Sequence, residues 1–288
     1  MLIVLALCVV WGLQPVAVKV IGGDVAPAMQ LAIRFSCAAV FFGAWLLIRE
    51  GPGALADGTL RSGLALGAMF SLEFVLLGEA LAHTTATHAI VFLYSSPIFT
   101  ALGLQFLPDE RLRRLQWTGI AVAFIGIAIA FIGPASRSVK DVVIGDFLAL
   151  CAGASWGLTN VVLRRGRVGD ATTIKTVFYQ VTAAAVVLLI FAAETGQSRI
   201  VFSSTAILSL VFQTLIIAIG SYLVWFWLLR HYLTSRLMML SLLTPLCGVL
   251  FGAALLGDPI DPRFAVGSLL VLAGILVVNA RQLLQRTA

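Results

Sequence analysis

Three ionisable side chains, Arg34, Glu73 and Glu79, stand inside otherwise apolar stretches, accompanied by Gln14, Tyr94, Asn160, Tyr179, Gln180, Tyr222 and Ser241. A carboxylate in such surroundings can hold an ammonium group or carry a proton, and amides, phenols and hydroxyls add directed hydrogen bonds. A zwitterion needs acceptors for its ammonium and donors for its carboxylate, and this set contains both. Bond-breaking arrangements are missing. There is no His-Glu-x-x-His, no Gly-x-Ser-x-Gly, no Gly-x-x-x-x-Gly-Lys-Ser/Thr and no Cys/His cluster at metal spacing. The expected chemistry is binding, with no enzymatic activity, cofactor or metal.

The elements that carry these residues must lie in a membrane. Of 288 residues, 60% are hydrophobic and 11% charged, and the mean hydropathy is +1.05. Soluble domains carry about 45–50% apolar and about 25% charged residues. A barrel would alternate apolar and polar residues in short segments, whereas this chain has uncharged runs such as Ala80–Pro108 and Ile200–Leu229. A spanning helix needs about 20 apolar residues. Reading between charged and Gly/Pro-marked breaks predicts ten, over 2–20, 27–48, 62–82, 86–107, 115–134, 145–164, 172–193, 206–228, 235–256 and 263–281. The fold class is therefore all-α.

Basic residues in short loops stay cytoplasmic. Arg49, Arg61, Arg111, Arg113, Arg114, Arg164, Arg165, Arg167, Lys175, Arg230, Arg236, Arg281 and Arg286 collect on one side of this topology, against Lys19, Arg137, Lys140, Arg199 and Arg263 on the other. Both termini are expected in the cytoplasm. The net charge of +6 is spread over loop anchors that can touch anionic lipid, with no basic run for nucleic acid. The apolar start around Leu5-Ala6-Leu7-Cys8 has no preceding basic segment and reads as the first span. Cys8, Cys37, Cys151 and Cys247 all fall inside spans and read as small packing residues.

The chain repeats itself. Trp11-Gly12 returns as Trp156-Gly157, 145 residues later; His83 and His231, Ser96-Pro97 and Thr244-Pro245, Gly119 and Gly267, and Gly126 and Gly274 each stand 148 apart. Residues 1–136 and 137–288 are thus expected to form two five-helix repeats. An odd number of spans turns the second repeat upside down, an arrangement by which secondary transporters build two gates around one midplane site.

Together the paired halves, the Trp-Gly of spans one and six, and the Ser-Pro and Thr-Pro of spans four and nine resemble the drug/metabolite transporter superfamily. So do the ends Leu107-Pro108-Asp109-Glu110-Arg111 and Leu256-Gly257-Asp258-Pro259. More narrowly the chain is similar to ten-helix EamA-type exporters, and Ser71-Leu72-Glu73 to the aromatic amino-acid exporters among them. One departure is that the family's helix-ending Gly-Glu stands here as Asp109-Glu110 and Gly257-Asp258. The resemblance implies ATP-independent export of amino acids or related metabolites across the bacterial inner membrane, with a cavity between spans 1–4 and 6–9. It implies a small-molecule substrate, surrounding lipid and no nucleic acid; a monomer suffices. A lipid flippase or scramblase, or a carrier of drugs, nucleobases or sugars, would offer similar polar residues.

Depth sharpens the candidates. At about 1.5 Å of rise per residue, Arg34 lies roughly 10 Å below the outer boundary of its span, between Glu79 at roughly 5 Å and Glu73 at roughly 13 Å. One reading is a structural ion pair between neighbouring helices. The other leaves Glu73 to bind a substrate ammonium or a coupling proton. Trp11 and Trp156 either stack on substrate or fill space, and Gln14 and Asn160 follow them by one turn in each half. Pro97 and Pro245 should kink spans four and nine, beside the Ser96 and Thr244 hydroxyls, and serve gating.

Overall fold

A computed structural model describes residues 2–51, 53–84, 86–106, 111–131, 139–165, 171–257 and 262–287. Its helices are α1 (Leu2–Val20), α2 (Pro27–Glu50), α3 (Leu60–His83), α4 (Ala86–Leu93), α5 (Ser96–Leu104), α6 (Arg114–Phe131) and α7 (Val139–Arg165), followed by α8 (Thr173–Glu194) and α9 (Ser204–Phe212). A π-helical segment, Gln213–Ser221, joins α9 to α10 (Tyr222–His231); α11 (Thr234–Ser241), α12 (Leu243–Leu256) and α13 (Pro262–Thr287) complete the chain. No strand occurs among the described residues, only an isolated antiparallel bridge between Val25 and Ile200.

Among the described residues, seven helical stretches are long and apolar enough to cross a membrane: Leu2–Val20, Pro27–Glu50, Leu60–His83, Lys140–Arg164, Thr173–Glu194, Ser204–His231 and Thr234–Leu256. Three shorter apolar stretches, Ala89–Leu104, Arg114–Ala130 and Pro262–Val278, accompany them. The expected ends at 107 and 134, and the motif residues Leu107–Glu110 and Asp258-Pro259, lie outside the described residues. Helix α7 starts at Val139, ahead of the expected 145, because Lys140 and Asp141 end the apolar run without ending the helix.

Two helices stop and restart near their prolines. Span four breaks at Tyr94-Ser95, and α5 begins with Ser96-Pro97; span nine breaks at Leu242, and α12 begins Leu243-Thr244-Pro245. A proline has no N–H to give, so it is tolerated in a first turn, where none is required. Tight turns close both breaks, Ser95 N–H donating to Phe92 O at 3.2 Å and Leu242 N–H to Met239 O at 3.3 Å.

The chain forms two compact units. The first comprises Met1–Gly12, Leu76–Val161 and Tyr232–Ala288. Here α6 packs along α13 through glycines at which any side chain would strike backbone. A Cβ at Gly119 would lie 2.8 Å from Gly274 O, and one at Gly126 would lie 2.7 Å from Gly267 O. The reverse approaches, from Gly267 to Gly126 O and from Gly274 to Gly119 O, are as tight. Each glycine therefore packs on the repeat mate of the other, so the helices run antiparallel with the reciprocal contacts of a local two-fold axis. The Trp-Gly glycines follow the same rule. A Cβ at Gly157 would meet Phe99 Cβ at 2.8 Å and Thr100 N at 3.0 Å; one at Gly12 would meet Cys247 Cβ at 2.6 Å and Gly248 N at 3.0 Å. Phe99 and Cys247, like Thr100 and Gly248, again stand 148 residues apart.

The second unit comprises Leu13–Val75 and Val162–His231. Its α2 and α8 are antiparallel. At one end Ala26 N–H donates to Arg199 O at 3.1 Å and Val201 N–H to Asp24 O at 2.9 Å. At the other, Thr172 Oγ1 donates to Glu50 at 3.1 Å, and Thr172 also caps α8 by accepting from Lys175 N–H. Helix α3 reaches α8 through Gly63 and Gly67, where a Cβ would run into the Tyr179 ring and Tyr179 O respectively.

Close glycine packing makes a prediction about stability. Gly126→Leu drives a side chain into Gly267 O and Val271 N, and such overpacking costs about 1–3 kcal/mol or more. The detergent-solubilised protein should lose several degrees of thermal midpoint or fail to accumulate. Gly23→Ala, which meets nothing within 4 Å, should melt as wild type does.

Candidate functional site

In the second unit α2, α3 and α10 bring charge and aromatic rings together. Glu73, on α3, is 8% exposed, and its Oε2 is buried with no hydrogen-bond partner. Arg34, on α2, is fully buried. It bonds the Tyr222 phenol, and its guanidinium carbon lies 4.8 Å from the centre of the Phe35 ring. Phe35, Phe70, Phe74 and Tyr222 form one cluster, with ring centres 5.7 Å apart for Phe35 and Phe70, 5.1 Å for Phe70 and Phe74, and 5.9 Å for Phe70 and Tyr222. Glu73 follows Phe70 by one helical turn and precedes Phe74 directly, within electrostatic reach of Tyr222.

No ion pair joins Glu73 to Arg34 among the described residues. The Arg34 guanidinium lies with Tyr222 and Phe35, and Glu73 Oε2 has no hydrogen-bond partner. Glu79, further along α3, is partly exposed.

The π segment is what allows this, and hydropathy patterning gave no sign of it. Gln213, at its start, donates to Gln30 Oε1 at 2.9 Å, and Tyr222, just past its end, meets Arg34. Gln30 and Arg34 lie one turn apart on α2 and so share a face. In an α-helix, advancing about 100° per residue, Gln213 and Tyr222 would point to opposite sides. The wider i→i+5 turn advances roughly 80° per residue, so nine steps return to nearly the same side. Gln30 is itself fixed by donating to Val25 O at 2.8 Å and Val18 O at 3.2 Å.

Two other candidates in this unit have structural partners. Tyr179 is 4% exposed, and its hydroxyl lies 3.1 Å from Thr59 Oγ1, so it fills the α3–α8 contact. Gln180 is fully buried; its amide donates to Thr176 O at 3.4 Å, while its Oε1 has no partner. Gln14 is partly exposed.

The first unit gathers a second group. The rings of Tyr94 and Trp156 meet edge to face at 5.5 Å. Asn160 Nδ2 donates to Trp156 O at 3.0 Å and to Met238 Sδ at 3.3 Å, and Ser241 Oγ donates to Met238 O at 2.7 Å. Ser96 Oγ is buried without a partner, Thr244 and Pro245 are buried at the start of α12, and Trp11 is partly exposed. Gly153 and Gly157 let α7 lie against the carbonyls of Phe92, Leu93 and Ser96, at the α4–α5 break.

Outside the apolar region, Lys175 bridges Asp57 at 2.7 Å and Glu50 at 3.2 Å. The hydrogen bond from Lys175, reinforced by bonds from Thr59, holds the Asp57 carboxyl well below the usual carboxylate range. No group of three or more His, Cys, Asp or Glu among the described residues can hold a metal ion, and all four cysteines are free.

Described residues that are helical apart from their loops, with several membrane-length apolar helices and the Glu73 carboxylate buried among them, have the build of a membrane transporter. The model of the EamA-like transporter family matches residues 1–132 and 143–280, and the chain belongs to that family. Among its relatives, a probable amino-acid metabolite efflux pump of Salmonella typhimurium is 31% identical over 95% of this chain and 92% of its own. A protein of Escherichia coli with the same description is 27% identical over 95% and 92%. The uncharacterized transporter YoaV of Bacillus subtilis is 23% identical over 96% and 94%. One solved crystal structure aligns over 98% of this chain and 97% of its own at 21% identity with a TM-score of 0.80, a likeness of fold.

Two outcomes follow. Glu73→Gln keeps the side chain's shape and removes its charge, so substrate affinity in reconstituted protein should fall roughly tenfold or more, the worth of one charge-assisted hydrogen bond; unchanged affinity and rate would clear Glu73 of any role. Because the Asp57 carboxyl sits below its ordinary value of 3.8, the stability it contributes is complete above about pH 4 and is lost as pH falls further. Asp57→Asn should lower the melting midpoint modestly at pH 7, less so in high salt, and flatten its decline below pH 4.

Proposed function

We propose that this transporter exports neutral or aromatic amino acids and related metabolites across the bacterial inner membrane, without ATP, by alternating access. The buried, unpartnered carboxylate of Glu73 beside an aromatic cluster carries this reading. A carboxylate in hydrocarbon is unfavourable by about 2.5 kcal/mol or more, and a substrate ammonium or a proton relieves it. Two relatives described as probable amino-acid metabolite efflux pumps support the substrate class.

The architecture behind the proposal has ten spans, with both termini cytoplasmic and repeats at 1–136 and 137–288 in opposite orientations. The family match in two successive stretches supports it, as do the reciprocal contacts of Gly119, Gly126, Gly267 and Gly274. The two broken helices, with Ser96-Pro97 and Thr244-Pro245 at their restarts, serve as gates in this scheme. Trp156, Tyr94, Asn160 and Ser241 are the candidate substrate contacts of the first unit, and Glu73, Gln180 and Tyr222 those of the second.

Counterflow in proteoliposomes tests the reading. With no pH gradient, labelled aromatic or aliphatic amino acid should exchange, and unlabelled members of the same group should compete. Flat uptake from folded protein, together with scrambling of labelled lipid, would make this a lipid carrier instead.

A further inference from the structure

We infer that Cys8 and Cys247 form a two-thiol site for a soft divalent cation that takes two ligands in line, Hg²⁺, and that the bound ion staples α1 to α12.

The two thiols come from opposite ends of the sequence and meet because of a glycine. Gly12 lies so close to α12 that a Cβ there would be 2.6 Å from Cys247 Cβ and 3.0 Å from Gly248 N. Cys8 precedes Gly12 by one helical turn, so it shares that face of α1, at about 5–6 Å between Cβ positions. The Cβ atoms of Cys8 and Cys247 therefore stand within roughly 8 Å of each other. Thr244 and Cys247, likewise one turn apart, share a face of α12. The Thr244 hydroxyl and the Cys247 thiol both lie within electrostatic reach of the Cys8 thiol. Cys8 is buried, and its Sγ donates to Leu240 O at 3.4 Å. Cys247 is half-buried, which gives an ion a way in.

Chemistry selects the ion. Thiolates are soft ligands and favour soft metals. No third His, Cys, Asp or Glu among the described residues is grouped with this pair, so Zn²⁺, which needs four ligands, is poorly served. Hg²⁺ needs only two. Two S–H bonds break, two S–Hg bonds form, and two protons leave to water. The product carries no net charge, as an apolar interior demands. A monovalent soft ion such as Ag⁺ would leave one negative charge behind. A disulfide would require the Cβ atoms within about 4.5 Å, whereas an S–Hg–S link is longer by one atom and asks less movement of the helices. The link closes beside Thr244-Pro245, where α12 restarts, and ties that restart to α1.

Titration of the purified full-length protein in detergent tests this, in a Cys37→Ser, Cys151→Ser background that removes the other two thiols; alanine replaces serine there if the serines unfold the protein. Hg²⁺ should saturate at one ion per chain, release two protons per ion and raise the thermal midpoint by several degrees. Methylmercury, with one bond to offer, should saturate at two per chain, release one proton each and leave the midpoint without that rise. Adding Cys8→Ser or Cys247→Ser should cut the release by Hg²⁺ to one proton and abolish the rise. Two Hg²⁺ per chain, one proton per ion in the two-thiol protein, an unraised midpoint, or a rise that persists in Cys8→Ser or Cys247→Ser would each overturn the inference.

Discussion

The contact between Arg34 and Tyr222 is the interaction on which the candidate site depends. An arginine buried in an apolar helix will pair with any carboxylate it can reach, because an uncompensated charge is strongly unfavourable there. Had Arg34 turned to Glu73, the two would have cancelled and the site would hold a structural salt bridge. Tyr222 bonds the guanidinium and Phe35 lies against it, and no ion pair joins it to Glu73 among the described residues. Behind Tyr222 stands the π segment, whose wide turn sets Tyr222 on the same side as Gln213. Behind Gln213 stands Gln30, pinned by two backbone carbonyls. A chain of buried polar contacts on α2 and α10 thus fixes the side chain that keeps Arg34 occupied.

The other unit relies on backbone proximity. In a bilayer the lipid tails are as apolar as the helix surfaces, so helices are held by close packing and interhelical polar contacts instead of a hydrophobic drive. Glycines at 119, 126, 267 and 274 bring α6 and α13 near enough for each to touch the other's carbonyls. Gly12 and Gly157 do the same where α1 meets α12 and α7 meets α5. The reciprocity of these contacts follows the matched glycine spacing in the sequence, with Gly119 on Gly274 and Gly126 on Gly267. The helix breaks sit at these contacts, and an interrupted helix is tolerated in a membrane only where protein or a polar cavity satisfies the freed backbone groups.

Much of this was legible in the amino-acid order. Uninterrupted apolar runs mark where the helices lie, since only a helix satisfies its own backbone in hydrocarbon. Pro97 and Pro245 mark the breaks, because an imide nitrogen cannot continue the ladder. Arg34 and Glu73 announce themselves as charges where charge is unfavourable, and matched glycines at one spacing announce the duplication. Each of these is a local property or a simple periodicity, and tertiary context cannot hide it.

What the tertiary structure alone decided is who pairs with whom. Depth placed Arg34 level with a point between two glutamates, which left its partner open; the turn of a neighbouring helix brings Tyr222 to its guanidinium. That turn was invisible because a π segment has no composition of its own, and Gln213–Ser221 reads as ordinary apolar helix. Tyr179 had the chemistry of a binding residue and became packing, since Gly63 and Gly67 leave room for its ring and Thr59 takes its hydroxyl. The sequence determined which groups would be buried. Rotation of one helix against another, set by contacts far apart in the chain, determined which partners they met.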